Sequence, residues 1–257
     1  MAEKSMEKTI VATGDINPCR DLAAMLKRQD LTRKRLELSS LFTNADLVVG
    51  NLEGPITAGK NKRAGQVWNL HFPPELAPLL SVFDGFSLSN NHVFDYGLGG
   101  FADTVETLDA MDIQHCGAGR TQAEAAEPAR FNLDGFKVSM TGLTDRNWLP
   151  SSRSSHGTHV WRGTAYAGAI GQLAESSDFV IVHLHHGYEF MDFPGPEEIQ
   201  LANKVIGAGA DLVLGHHSHY LMGVTRKGTS AIAYGLGDFL LDKMHMPGKY
   251  RKKARRG

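Results

Sequence analysis

The sequence predicts an α/β domain, on three observations. Short β-branched runs alternate with helix-length amphipathic segments from Thr9 to Met111, two tight-turn signals mark β-hairpins further on, and a strand–helix–strand unit spans Val180 to His219. The hairpins among crossover units imply a mixed sheet, and two packed mixed sheets with helices outside would accommodate both.

Thr9–Thr13 reads as a strand broken by Gly14-Asp15-Ile16-Asn17-Pro18, which leaves Asp15 at its carboxyl end. A helix over Asp21–Asp30 follows, with Asp21 as its N-cap. Asp46–Gly50 is a second strand, ending at Asn51-Leu52-Glu53, and Gly59–Trp68 is a polar loop carrying Lys60, Lys62 and Arg63. That loop either borders the site or is plain surface. Pro73–Val82 is a proline-started helix, Asp84–Ser89 a strand running into Asn90-Asn91-His92, and Phe101–Met111 an amphipathic helix. Ala129–Leu133 and Phe136–Gly142 alternate around Asp134-Gly135, a hairpin signal. Asp145–His159 reads as a long loop, Thr164–Ser176 and Pro196–Ala208 as helices, and Gly223–Thr225 with Ser230–Tyr234 as a second hairpin.

Six of the 12 histidines lie between Val180 and His219: His183, His185 and His186 end one buried-strand pattern, and His216, His217 and His219 end the next. Groups just past the carboxyl ends of strands in an open α/β sheet meet in one crevice. One such cluster is as well explained by hydrogen-bonded core histidines; two at equivalent strand ends favour a metal site. With Asp15, Asn17, Glu53, Asn91 and His92 the set mixes hard oxygens with imidazoles, which suits Mn, Fe or Zn. A dinuclear centre needs a bridging carboxylate and can hold a hydroxide as nucleophile, and Glu53 is the natural bridge.

The 257 residues are 42% hydrophobic and 21% charged, enough for a full core. No run approaches a membrane span, and the charged start leaves no room for a signal peptide, so a cytoplasmic location is expected. Two cysteines, Cys19 and Cys116, neither build a disulfide framework nor supply a thiolate site. Six of the 27 basic residues crowd the last eleven positions, leaving 21 against 28 acidic ones elsewhere. The expected organisation is therefore one domain over 1–245 and a basic disordered tail over 246–257; nucleic acid is not expected as a partner.

The segments G-D-I-N-P-C-R, A-D-L-V-V-G-N-L-E-G-P-I-T, S-N-N-H-V-F-D-Y-G, L-H-H-G-Y-E, A-G-A-D-L-V-L-G-H-H-S-H and A-Y-G-L-G-D-F, in this order from Thr9 to Asp242, together resemble the CapA family of capsule and poly-gamma-glutamate biosynthesis. That family is similar to the calcineurin-like metallophosphoesterases. The resemblance implies a four-layer sandwich of two mixed β-sheets flanked by helices. It implies metal ligands at Asp15, Asn17, Glu53, Asn91, His185, His217 and His219, with two divalent ions and His92 as general acid. G-H-H-S-H can be registered with either His216 or His217 at the metal; the spacing to His219 favours His217. Arg20, Asn90, Glu189 and His216 are expected around an anionic small-molecule or polymer substrate. Three positions depart from the pattern: Asn17 stands for a histidine, Glu53 for an aspartate and Asp238 for an asparagine. The implied function is a metal-dependent hydrolase whose metal-bound hydroxide attacks a phosphoester or an amide or ester bond. The alternative is a non-catalytic polyglutamate-binding accessory protein of capsule synthesis.

Overall fold

The computed structural model describes residues 7–65, 68–144 and 156–242. The basic tail and most of the Asp145–His159 loop lie outside them. In chain order the strands are β1 (Ile10–Asn17), β2 (Leu47–Leu52), β3 (Gly85–Ser87), β4 (Gln114–Cys116), β5 (Ala118–Gly119), β6 (Ala129–Leu133), β7 (Phe136–Thr144), β8 (Gly157–Thr158), β9 (Phe179–His185), β10 (Leu212–His216), β11 (Val224–Lys227), β12 (Ser230–Ala233) and β13 (Asp238–Leu241). The helices are α1 (Arg20–Leu26), α2 (Leu31–Ser40), α3 (Gly97–Ala110), α4 (Gln122–Ala126), α5 (Thr164–Ser176) and α6 (Pro196–Gly207).

Two sheets make the inner layers of a four-layer sandwich. The first, ordered β13-β1-β2-β3-β4, is parallel throughout. The second, ordered β11-β12-β10-β9-β7-β6, is mixed, because its hairpins β6–β7 and β11–β12 are antiparallel. Their facing surfaces share a core of Leu47, Val49, Val138, Met140, Ile181 and Leu214. Neighbouring residues point the other way: Val48 and Phe86 pack on Leu80, Phe101 and Leu108, while Val180, Val182 and Leu184 pack on Tyr166, Ile170 and Val205. Strands covered on both faces need apolar residues at every position, and so they read as continuous runs.

Several local expectations change. β1 and β2 run on through residues read as turns, so Asp15 and Asn51 are strand residues paired in register. Burial of Ile16 and Leu52 with no exposure holds this extension against the turn-forming glycine and asparagine beside them. The first helix is capped at Cys19, not Asp21, and stops at Leu26. Asp30 then caps α2 by accepting from the backbone N–H groups of Thr32 and Arg33 at 2.9 and 3.2 Å. Pro74–Val82 is a 3₁₀ segment, since Pro78 inside it has no N–H to donate.

Two glycines bring backbone against backbone next to the strand ends. A Cβ on Gly14 would lie 1.9 Å from the Gly237 carbonyl oxygen, and one on Gly215 would lie 2.0 Å from that of Tyr234. Neither obstacle is a side-chain end that can swing aside. Gly14→Ala and Gly215→Ala are therefore each expected to lower unfolding free energy by about 1–3 kcal/mol, measured by urea denaturation. A change below about 0.5 kcal/mol in both would show that the strands can part at no cost.

Candidate metal centre

Asp15 anchors the site. It has no solvent exposure, and its Oδ1 accepts from Asn51 Nδ2 at 2.8 Å and from His216 Nδ1 at 2.9 Å. The backbone N–H of His217 approaches Oδ2 at 3.4 Å. Burial alone pushes this carboxyl up, but the His216 hydrogen bond and the surrounding imidazoles hold it well below the usual carboxylate range. Donors from both sheets thus converge on one carboxylate.

The register explains the convergence. Asp15 sits opposite Asp238 on β13 and Asn51 on β2, and His216 of β10 sits opposite His185 of β9. All these strands run parallel, so their carboxyl ends open on the same side. The chain after β10 then takes left-handed backbone at two non-glycine residues, His217 (φ 82°) and His219 (φ 58°). Each costs about 1–2 kcal/mol. The hydrogen bond from His219 Nδ1 to Asp238 Oδ1, at 2.8 Å, helps offset that cost.

Two groups of ligating side chains result, each with candidate ligand atoms within 4.8 Å of one another: Glu53, His185 and His217, and Asp15, His219 and Asp238. Glu53 lies between the groups, with Oε1 3.7 Å from His185 Nε2 and 4.0 Å from His219 Nε2. Those separations are too long for hydrogen bonds. They suit ligands of a shared ion, since two atoms each about 2.1 Å from one ion lie no more than about 4.2 Å apart.

The unpartnered atoms give the same answer. Both carboxylate oxygens of Glu53, the Nε2 of His219 and the Oδ1 of Asn17 are buried and make no hydrogen bond. A buried, unpaired carboxylate costs several kcal/mol, so a site that keeps one is built for a cation. Without one, burial and the charge of Asp15 push Glu53 well above its ordinary value. Burial works against the charged form of His219, yet Glu53, the Asp238 hydrogen bond and Asp15 outweigh it and raise the imidazole to about 10. The residues present fit divalent ions.

The remaining predicted residues are placed as follows. Asn17 donates from Nδ2 to the Glu53 carbonyl at 2.7 Å. Asn91 Oδ1 accepts from His185 Nε2 at 2.8 Å, a proton lying where two ligands of one ion would face each other. His92 Nδ1 donates to Asp95 Oδ2 at 2.6 Å, and that oxygen also accepts from the Leu70 N–H at 2.8 Å. Arg20 pairs with Asp242 at 3.4 Å and lies over the Trp68 ring. Glu189 is exposed in the turn after β9.

Two residues expected around the substrate have their polar atoms engaged within the protein. Asn90 is buried with its amide committed to Asn51 Oδ1 at 3.3 Å and the Leu52 carbonyl at 2.8 Å, while its Oδ1 accepts from the His92 N–H, so it shapes the loop. His216 uses both ring nitrogens within the protein: Nδ1 donates to Asp15, and Nε2 accepts from His183 Nδ1 at 2.9 Å. The two rings stack with 3° between their planes. Asn51 and Asp95 were not singled out from sequence, and His183 was named only as a member of the strand-end cluster. Asn51 carried a signal, lying two residues before Glu53 and hence on the same strand face.

The comparisons with known proteins bear on this arrangement. The family described as bacterial capsule synthesis protein PGA_cap matches residues 9–243. The chain belongs to that family. Among PGA_cap relatives, it is 27% identical over 246 residues to the capsule biosynthesis protein CapA of Bacillus anthracis, covering 91% of this chain and 60% of the relative. It is 29% identical over 209 residues to the PGA biosynthesis protein CapA of Bacillus subtilis, covering 79% of this chain and 55% of the relative. The chain thus spans somewhat over half the length of these relatives. In fold it is similar to the 5'-nucleotidase precursor of Thermus thermophilus, with a TM-score of 0.50, 15% identity, and coverage of 90% of this chain and 49% of that one. The PGA_cap chain therefore has a metallophosphoesterase-like fold, with candidate metal-binding groups at its strand ends. Among the described residues no helix is long and apolar enough to cross a membrane.

Asp238 is the acid that departs from the family pattern, and it is the hydrogen-bond partner of His219. Asp238→Asn is expected to lower the titration midpoint of the His219 ring in metal-free protein from about 10, because after Glu53 that hydrogen bond is the strongest support for the charged ring. A ¹³C-imidazole NMR titration, with the resonance assigned through His219→Gln, measures it. An unmoved midpoint would assign the raised value to Glu53 and Asp15 alone.

Proposed function

We propose that this PGA_cap chain is a metal-dependent hydrolase acting on a phosphoester or an amide or ester bond of an anionic substrate in capsule or poly-gamma-glutamate metabolism. The observation that carries the reading is Glu53, a buried carboxylate with both oxygens unpartnered between His185 and His219. A pair of divalent ions, Mn, Fe or Zn, would be held by Asp15, Asn17, His219 and Asp238 on one side and by Asn91, His185 and His217 on the other, with Glu53 shared. Such ions, when bound, supply an activated water and polarise the bond to be cleaved.

The chain's own residues supply orientation and proton transfer. Asp95 accepts from His92 Nδ1, which fixes the tautomer and leaves Nε2 as the nitrogen that can exchange a proton with a leaving group. Asn91, one residue earlier in the same turn, is fixed by His185. A ligand and a proton donor are thereby set side by side on a short, buried loop. His183 and His216 hold Asp15 from behind and take no part in the chemistry. The anionic character of the substrate rests on the family description, and Arg20, three positions after Asn17, with Lys60, Lys62 and Arg63 in the loop after Glu53, are the cations proposed to meet it. A cytoplasmic location remains part of the proposal, as does the single domain over 1–245.

Elemental analysis of purified protein is expected to find Mn, Fe or Zn, and chelation is expected to abolish turnover of a nitrophenyl phosphoester. His92→Ala is expected to keep the metal and lose roughly 100-fold to 10,000-fold in rate on substrates with poor leaving groups, with a smaller loss on nitrophenolate. Asn91→Ala and His217→Ala are expected to lose metal and turnover together. Equal metal loss in His92→Ala would overturn the division of roles. Metal retained without turnover on any phosphoester, ester or amide would favour the polyglutamate-binding accessory role.

A further inference from the structure

A second cavity lies away from the ligand groups, on the outer face of the mixed sheet. It has a volume of about 240 Å³ and lies, partly open to solvent, between α5 and the β6–β7 hairpin, with Leu143, Tyr166, Ile170 and Leu173 among its walls. Two polar side chains belong to it as well. Thr141 is 3% exposed and His159 is 4% exposed, and the Thr141 hydroxyl and both ring nitrogens of His159 make no hydrogen bond. Most buried polar side chains are partnered, and each one left unpartnered costs stability. Two on one cavity are a pair of vacant hydrogen-bonding positions.

The wall chemistry selects the class of occupant. Burial keeps His159 down at about 4, so at neutral pH the ring is uncharged and offers one donor and one acceptor. The Thr141 hydroxyl can serve as either. Arg130, the one charged residue of the lining among the described residues, is more than half exposed and paired with Glu127 at 3.0 Å, so a charged group inside would meet no free counter-charge from these residues. Gln172 and Ser176 also line it, the Ser176 hydroxyl donating to the Gln172 and Leu173 carbonyls; the rest of the wall is aliphatic apart from Tyr166, whose ring packs on His159 with centroids 4.6 Å apart. The backbone around His159 is also pinned, with its N–H donating to the Gly117 carbonyl and its own carbonyl accepting from Thr144, each at 2.9 Å. The imidazole is therefore presented by a fixed stretch of chain.

We infer that this cavity is a binding site for a small uncharged molecule, one with an amide or hydroxyl head to meet His159 and Thr141 and a branched aliphatic body to fill the space beside Leu143 and Ile170. It is separate from the metal centre and does not depend on the hydrolase reading. A volume of 240 Å³ lies below the roughly 300–1,000 Å³ of sites for drug-sized ligands, which limits the occupant to a few carbons beyond its polar head.

Isobutyramide is a suitable probe, with isobutyrate as its charged counterpart of the same shape. Titration into full-length protein, followed by the His159 ring and Ile170 methyl resonances, is expected to show saturable binding of isobutyramide and at least tenfold weaker binding of isobutyrate. Thr141→Val keeps the shape and the strand but removes the hydroxyl. It is expected to weaken isobutyramide at least fivefold while raising the Tm of the free protein, since a buried unpartnered hydroxyl is gone. His159→Phe is expected to abolish binding. The proposal is overturned if no saturable shift appears, which would mean a cavity holding water only, if isobutyrate binds as well as isobutyramide, or if Thr141→Val retains full affinity.

Discussion

A carboxylate with no contact with solvent has to be compensated from within, and Asp15 is compensated from two sheets at once. Asn51 comes from its own sheet, and His216 and the His217 backbone come from the other. An uncompensated buried carboxylate would cost several kcal/mol. The two sheets are therefore tied at their carboxyl ends as well as glued by the apolar interface of Val49, Met140 and Ile181. Apolar packing sets how far apart the layers lie, but it is tolerant of sliding. The hydrogen bonds to Asp15 fix how one sheet end faces the other, and so whether Glu53 lies between His185 and His219.

The imidazoles form two tiers with different duties. His183 and His216 sit behind Asp15, hydrogen-bonded to each other with His216 rather than His183 reaching the carboxylate, and stack face to face. Their alignment follows from Asp15: an ionised carboxylate can only accept, so His216 Nδ1 donates and its Nε2 must accept from His183. His185, His217 and His219 form the front tier, spread among the carboxylates. The same residue type thus serves as scaffold in one tier and as candidate ligand in the next, and the separation comes from depth along neighbouring parallel strands.

Much of this was legible in the sequence. Strand-end carboxylates and paired histidine clusters are visible because buried parallel strands are uniformly apolar, so polar residues closing them stand out, and both hairpins announced themselves through Asp134-Gly135 and Gly228. The resemblance to the capsule synthesis family supplied the layer count, which local patterns left open. What could not be read was depth. Gly14 and Asn51 look like turn residues, and only burial of Ile16 and Leu52 in the sandwich keeps them in strands. His216 and His217 are adjacent and chemically identical, and their opposite duties depend on Asp15, 201 positions before His216 in the chain. Asp95 gave no local sign of its hydrogen bond to His92, because Asp-Tyr-Gly is ordinary turn chemistry.

The parallel pairing of β1 with β13 has a consequence for how the molecule comes into being. β1 is near the start of the chain and β13 near the end of the described residues, yet they are hydrogen-bonded neighbours, with Asp15 opposite Asp238. One edge of β1 consequently stays open on the ribosome until β13 has been made, and that partner contributes an acid to the very cluster it borders. Contacts this distant in sequence give the topology a high contact order and slow final closure. Nascent or shortened chains carry an apolar parallel strand with unpaired N–H and C=O groups, the feature that recruits chaperones or aggregates. Completion of the Asp15–His219–Asp238 cluster and removal of that hazard are the same event in folding.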